Sequence, residues 1–195
     1  MLFIGAQLID WAFFAFLLLG VEHMRITPGI SAMNPMDLYD MPYTHSLLGA
    51  AAFAGAIWLL RSVVVKDPIG ALIGAAVILS HWFLDLLVHV PDLTLAGSPP
   101  KLGLGLWNHP AIEMPLELGI TFGALWWYVK ARSPAPLRVA VLASVLLLLQ
   151  AINWFGPVEG EVTAGTSYLA FFAYGLATLV AWWMGKSARK SATLG

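Results

Sequence analysis

The chain has 195 residues, of which 59% are hydrophobic and 11% charged, with a formal net charge of −1. An ordinary soluble domain carries roughly 25% charged residues, so this composition excludes a water-soluble fold. The absence of cysteine excludes disulfides and thiolate metal sites, and no basic stripe marks a nucleic-acid partner.

Six apolar stretches follow one another, at approximately 2–21, 43–64, 69–90, 110–129, 137–155 and 166–185. Each is about long enough to cross a hydrocarbon layer of roughly 30 Å. The first lacks a basic leader and is interrupted by Asp10, so it reads as a span and not as a signal peptide. The spans use most of the chain and leave no room for a separate soluble domain. The expected fold is an all-α polytopic membrane protein, one domain over residues 1–195 built as a single bundle of about six transmembrane helices.

Asp67-Pro68, Asn108-His109-Pro110 and Ser133 to Pro136 each set a capping residue before a proline that a first helical turn tolerates. The Gly70/Gly74 and Gly119/Gly123 spacings are expected to let helices approach closely. Trp126, Trp127, Tyr128, Trp182 and Trp183 fall at one set of span ends, and Trp107, Trp154 and Tyr168 near the other, as interfacial belts do.

With six spans, both termini share a face with the turns near 61–68 and 130–136. Arg61, Lys66, Lys130, Arg132, Arg138, Lys186, Arg189 and Lys190 collect there, eight of the ten basic residues, against Arg25 and Lys101 opposite. The positive-inside rule makes that face, and both termini, cytoplasmic. The expected location is a bacterial-type inner membrane, with the opposite face towards the periplasm or exterior.

That opposite half holds all five histidines, His23, His45, His81, His89 and His109, and most of the carboxylates. Asp37, Asp40, Glu159 and Glu161 read as solvated loop residues, and His23 and His89 as ordinary boundary histidines. Within the spans, a rise of 1.5 Å per residue sets His45 about 4–5 Å below the outer end, Asp85 about 8 Å, Glu117 about 10 Å, His81 about 13 Å and Asp10 about 16 Å. Ionisable groups at such depths cost several kcal/mol unless paired, hydrated or metal-bound. His81, Asp85 and His89 recur every four residues on one helical stripe, and His109/Glu113 and Glu113/Glu117 repeat that spacing. An imidazole and a carboxylate one turn apart can share a divalent ion, or one can orient the other. Asn108, Gln150 and Asn153 are candidate supporting donors.

Tyr43-Thr44-His45-Ser46-Leu47-Leu48-Gly49 and Ser80-His81-Trp82-Phe83-Leu84-Asp85-Leu86-Leu87 resemble the YdjM-like membrane proteins, a family of predicted membrane-bound metal-dependent hydrolases, over about residues 43–92. The order His-x-x-x-Asp then His-x-x-x-Glu is also similar to the zinc-dependent phospholipase C superfamily, whose N-terminal Trp ligand has no counterpart here. The resemblance implies a divalent metal, zinc, held by His81, Asp85, His109 and Glu113 with His45 as a further ligand. It implies a hydrolase. If the site is catalytic, the chemistry is metal-assisted hydrolysis with Asp10, Glu113 or Glu117 as the candidate base. A mouth in the outer half suits a lipid or lipid-linked phosphoester or ester, and the Gly97–Asn108 loop is the candidate cover. The same charges suit a proton- or metal-ion-coupled transporter, or a non-catalytic membrane partner.

Overall fold

The computed structural model describes residues 2–157 and 160–188; Glu159, Arg189 and Lys190 lie outside the described residues. Seven α-helices run through the described residues: α1 Leu2–Ala6, α2 Leu8–Leu18, α3 Leu47–Leu60, α4 Pro68–Val88, α5 Pro110–Arg132, α6 Pro136–Phe155 and α7 Ala164–Gly185. A π-helical turn, Arg61–Val65, extends α3. Four helical segments, Leu47–Val65, Pro68–Val88, Pro136–Phe155 and Ala164–Gly185, are long and apolar enough to cross a membrane. The first apolar stretch is broken at Gln7 into α1 and α2, and α5 carries Glu113 and Glu117 within its length, so these two lack the uninterrupted apolar run of the others.

The chain divides into two compact units, Met1–Pro110 with Val158–Phe171, and Ala111–Pro157 with Phe172–Gly195. In the first, α3 packs along α4, and α1 packs on α4 as well. Ala50, Ala54, Ala71 and Gly74 are buried along these helices, whereas Leu48, Ile69 and Leu72 are exposed. Small residues inside and large apolar ones outside suit helices whose outer solvent is lipid, where close backbone approach supplies the contact. At Gly74 a Cβ would just touch Ile57 of α3, at 3.5 Å, in keeping with a packing role. Gly119 and Gly123 differ from expectation: within the second unit a side chain at either would meet nothing within 4 Å.

Helix starts follow local chemistry. Asp67 caps α4 by accepting the Gly70 N–H at 2.9 Å and pairs with Arg61, and together these hold its carboxyl below the ordinary range. Ser133 does not cap α6. Ala135 occupies the cap position, and its N–H donates to the Ser187 hydroxyl at 3.0 Å. In the same unit Arg138 donates to the Trp183 carbonyl at 2.7 Å and lies over its ring, while Lys186 lies over Trp182, so two of the expected belt tryptophans carry cations.

The segment between α2 and α3 departs from an all-α chain. It forms an antiparallel hairpin, β1 His23–Ile26 and β2 Met36–Asp40, with Arg25 opposite Asp37 and Ile26 opposite Met36. Met24 in β1 and Leu38 in β2 are buried, in strands too short for a span search to register. Asp37, expected in solvent, is buried and accepts from Arg25 Nε at 2.6 Å. Asp40 is about half exposed and bonds His23 at 3.0 Å.

The 91–109 loop closes over two helix ends. Leu47 and Leu48 at the start of α3 donate to the Thr94 and Leu95 carbonyls at 3.0 and 2.9 Å, and Leu104 and Gly105 donate to Leu86 and His89 at the end of α4 at 2.8 and 2.7 Å. Groups that helix ends leave without partners are thus satisfied by one loop. Gly49 sits against this junction, and a Cβ there would overlap the Tyr43 carbonyl. Gly49→Ala is expected to destabilise the protein by about 1–3 kcal/mol, the usual cost of overpacking. A thermal unfolding midpoint in detergent equal to wild type would contradict that packing.

Candidate metal centre

Three segments of the first unit bring side chains together: α2 carries Asp10, the residue before the α3 cap is His45, and α4 carries His81, Asp85 and, at its C-cap, His89. His45 is pinned by its neighbours. Ser46 caps α3 through the Gly49 N–H at 3.0 Å, and Trp82 donates to the His45 carbonyl at 3.2 Å, tying this turn to α4. Phe13 packs edge-on against the His45 ring.

The inward nitrogens face carboxylates. His81 Nε2 lies 3.4 Å from Asp10 Oδ1 and 3.1 Å from Asp85 Oδ2, and His45 Nε2 lies 3.6 and 3.7 Å from the same two oxygens. His89 Nε2 lies 3.8 Å from the other oxygen of Asp85. The side chains of His45, His81 and Asp85 are 3%, 12% and 14% exposed, and Asp10 is the most open at 26%.

The outer nitrogens are all engaged. His81 Nδ1 donates to the Ala6 carbonyl at 2.9 Å, a group that can only accept, so in the neutral ring the lone pair lies on Nε2. His89 Nδ1 is 3.0 Å from Asp92 Oδ1, and His45 Nδ1 is 2.9 Å from the Thr44 hydroxyl. The carbonyl that anchors His81 is free because the helix is broken: in a continuous helix Ala6 would take the Asp10 N–H, whereas α2 begins at Leu8 with Gln7 as its cap.

This donor set fits a divalent cation. His81 Nε2 and Asp85 Oδ2 are buried without a hydrogen-bond partner although 3.1 Å apart, because they are not aligned for a direct bond. Tetrahedral coordination with bonds of about 2.0–2.1 Å requires donor atoms roughly 3.3–3.4 Å apart. The four nitrogen–oxygen distances above run from 3.1 to 3.7 Å around that value, while Asp85 stands outside the set of donors that all lie close to one another. Asp10, His45 and His81 each offer one atom within 4.8 Å of the others and could hold a metal ion.

Of the expected ligands, the structure brings together His45, His81 and Asp85. Asp10, expected as a base, stands among the donors. His109 is exposed after a short 3-10 turn, Leu106–Asn108. Glu113 belongs to the second unit, where it is buried with its Oε2 lacking a hydrogen-bond partner, and Glu117 follows one turn on in α5. Asn108 accepts from the Ala32 N–H at 3.3 Å in the hairpin loop. His89, expected at the boundary, is buried beside Asp85 with Trp107 tilted against its ring at 4.2 Å. The four-residue stripe from His81 to His89 was the signal for it, and Asp92, three residues further, is the partner that the stripe did not include.

No family model, curated protein or solved structure matches the chain.

Proposed function

We propose that the chain is a membrane-embedded, metal-dependent hydrolase of a lipid or lipid-linked phosphoester or ester. In this reading α1–α2 and α5 complete six crossings of a bacterial-type inner membrane, both termini are cytoplasmic, and the centre opens towards the periplasm or exterior. The observation that carries it is the convergence of two imidazole Nε2 atoms and two carboxylate oxygens at 3.1–3.7 Å, with each Nδ1 committed elsewhere. Imidazole nitrogens facing carboxylate oxygens at these distances favour zinc.

When bound, such an ion lowers the pKa of water towards about 7 and polarises a phosphoryl or acyl oxygen. His45, His81 and Asp10, with Asp85 beside them, would hold it, and the two carboxylates would balance its charge. His89 takes up a proton at Nε2, because Asp92 holds its Nδ1–H and Trp107 fixes its ring. Asp10, the most open donor, marks the side from which a substrate approaches.

The test is the metal content of purified protein beside a His81→Ala/Asp85→Ala double variant, followed by turnover of lipid phosphodiesters and carboxylic esters. Stoichiometric zinc in wild type, none in the variant, and turnover that follows the metal are expected. Negligible metal in both ends this reading. Ion uptake into sealed vesicles without turnover assigns the same donors to transport instead.

A further inference from the structure

Glu22, directly after the first span, is fully buried, and no ion pair among the described residues involves it. Its Oε1 accepts the Tyr43 and Thr44 N–H groups, each at 2.8 Å, and its Oε2 accepts the Thr44 hydroxyl at 2.5 Å. Thr44, also fully buried, has its Oγ1 2.9 Å from His45 Nδ1. A buried carboxylate without a cation is expensive, and a neutral amide could satisfy the two backbone donors equally well.

An ionised carboxylate differs from an amide in one respect that matters here: it can only accept. The single Thr44 hydroxyl proton must therefore go to Glu22, and Thr44 is left to accept from His45 Nδ1–H. That proton on Nδ1 leaves the His45 lone pair on Nε2, facing Asp10 and Asp85.

We infer that Glu22 is a positioning residue which, through the Thr44 hydroxyl, sets His45 as an Nε2 donor for a bound cation. The inference rests on the metal-centre reading above and adds a residue two steps removed from the ion. It makes a prediction that a space-filling role does not. In Glu22→Gln the shape is kept, but the amide N–H donates to Thr44 Oγ1. The hydroxyl then donates to His45 Nδ1, the ring proton moves to Nε2, and the lone pair turns away from the centre.

The experiment measures Co²⁺ affinity and its visible spectrum by chelator competition on the purified full chain. Glu22→Gln should weaken binding about 10–100-fold, the range found for outer partners of metal ligands. Thr44→Val should weaken it comparably, Thr44→Ser should keep wild-type affinity and spectrum, and Glu22→Gln/Thr44→Val should lose no more than Glu22→Gln alone. Wild-type affinity and spectrum in Glu22→Gln or in Thr44→Val overturn this inference and leave the centre standing. Wild type that takes up no Co²⁺ overturns the underlying reading and this inference with it. Should Glu22→Gln fail to fold, the contrast between Thr44→Ser and Thr44→Val decides alone.

Discussion

Asp85→Ala is expected to lower metal affinity by more than 100-fold, beyond the roughly 10–100-fold at which loss of an outer partner is usually felt. Among the described residues Asp85 is the one carboxylate that pairs with three imidazoles, His45 and His81 through Oδ2 and His89 through Oδ1. Its removal takes away a donor atom, half of the negative charge that would balance the ion, and the contact that holds His89 against the centre. Asp92→Ala is the contrasting case. It removes only the partner of His89 Nδ1 and should fall within the 10–100-fold range or below it. Titration of both variants with Zn²⁺ separates the two, and equal affinities would show that Asp85 is not a ligand.

The second large effect is on stability. Four donors arrive from α2, the turn before α3, and α4, so an ion bound there cross-links segments that are distant in sequence. A ligand that binds only the folded state at about 1,000 times its dissociation constant stabilises by about 4 kcal/mol. For a chain of this length that corresponds to roughly 8–16 °C in the unfolding midpoint. Chelation of wild type should lower the midpoint by that amount and zinc should restore it, while Asp85→Ala should respond to neither. A midpoint unchanged by chelator in protein shown to contain metal would place the metal elsewhere.

What could be read from the sequence was local or periodic. The four long apolar helices follow from hydropathy, and the alignment of His81, Asp85 and His89 follows from a four-residue spacing on α4. The depth estimate put Asp10 near His81, and the two are in contact, but its 3.4 Å approach depends on the break at Gln7, which no pattern announced. The hairpin was missed because its strands are only four and five residues long and use Met24 and Leu38 as a two-residue core. Glu22 was visible only as one more outer carboxylate. Its role depends on a contact with Thr44 across twenty-two residues, and long-range hydrogen bonds leave no periodic trace. Glu113 and Glu117 show the converse, since their spacing matches a ligand pair while the buried Glu113 Oε2 has no hydrogen-bond partner.

The interruption at Gln7 also sets the chain's tolerance to insertions. One break supplies the Ala6 carbonyl to His81 and fixes the rotation of α2 that aims Asp10. A single residue inserted between Leu8 and Asp10 would turn the Asp10 carboxylate by about 100° around the helix axis and shift it by about 1.5 Å, with the hydropathy of the stretch nearly unchanged. The exposed Ser98–Lys101 tip, by contrast, can lengthen without moving a donor atom. Length variation should therefore be tolerated at the tip of the 91–109 loop and abolish metal binding between Ala6 and Asp10, where hydropathy gives no sign of the constraint.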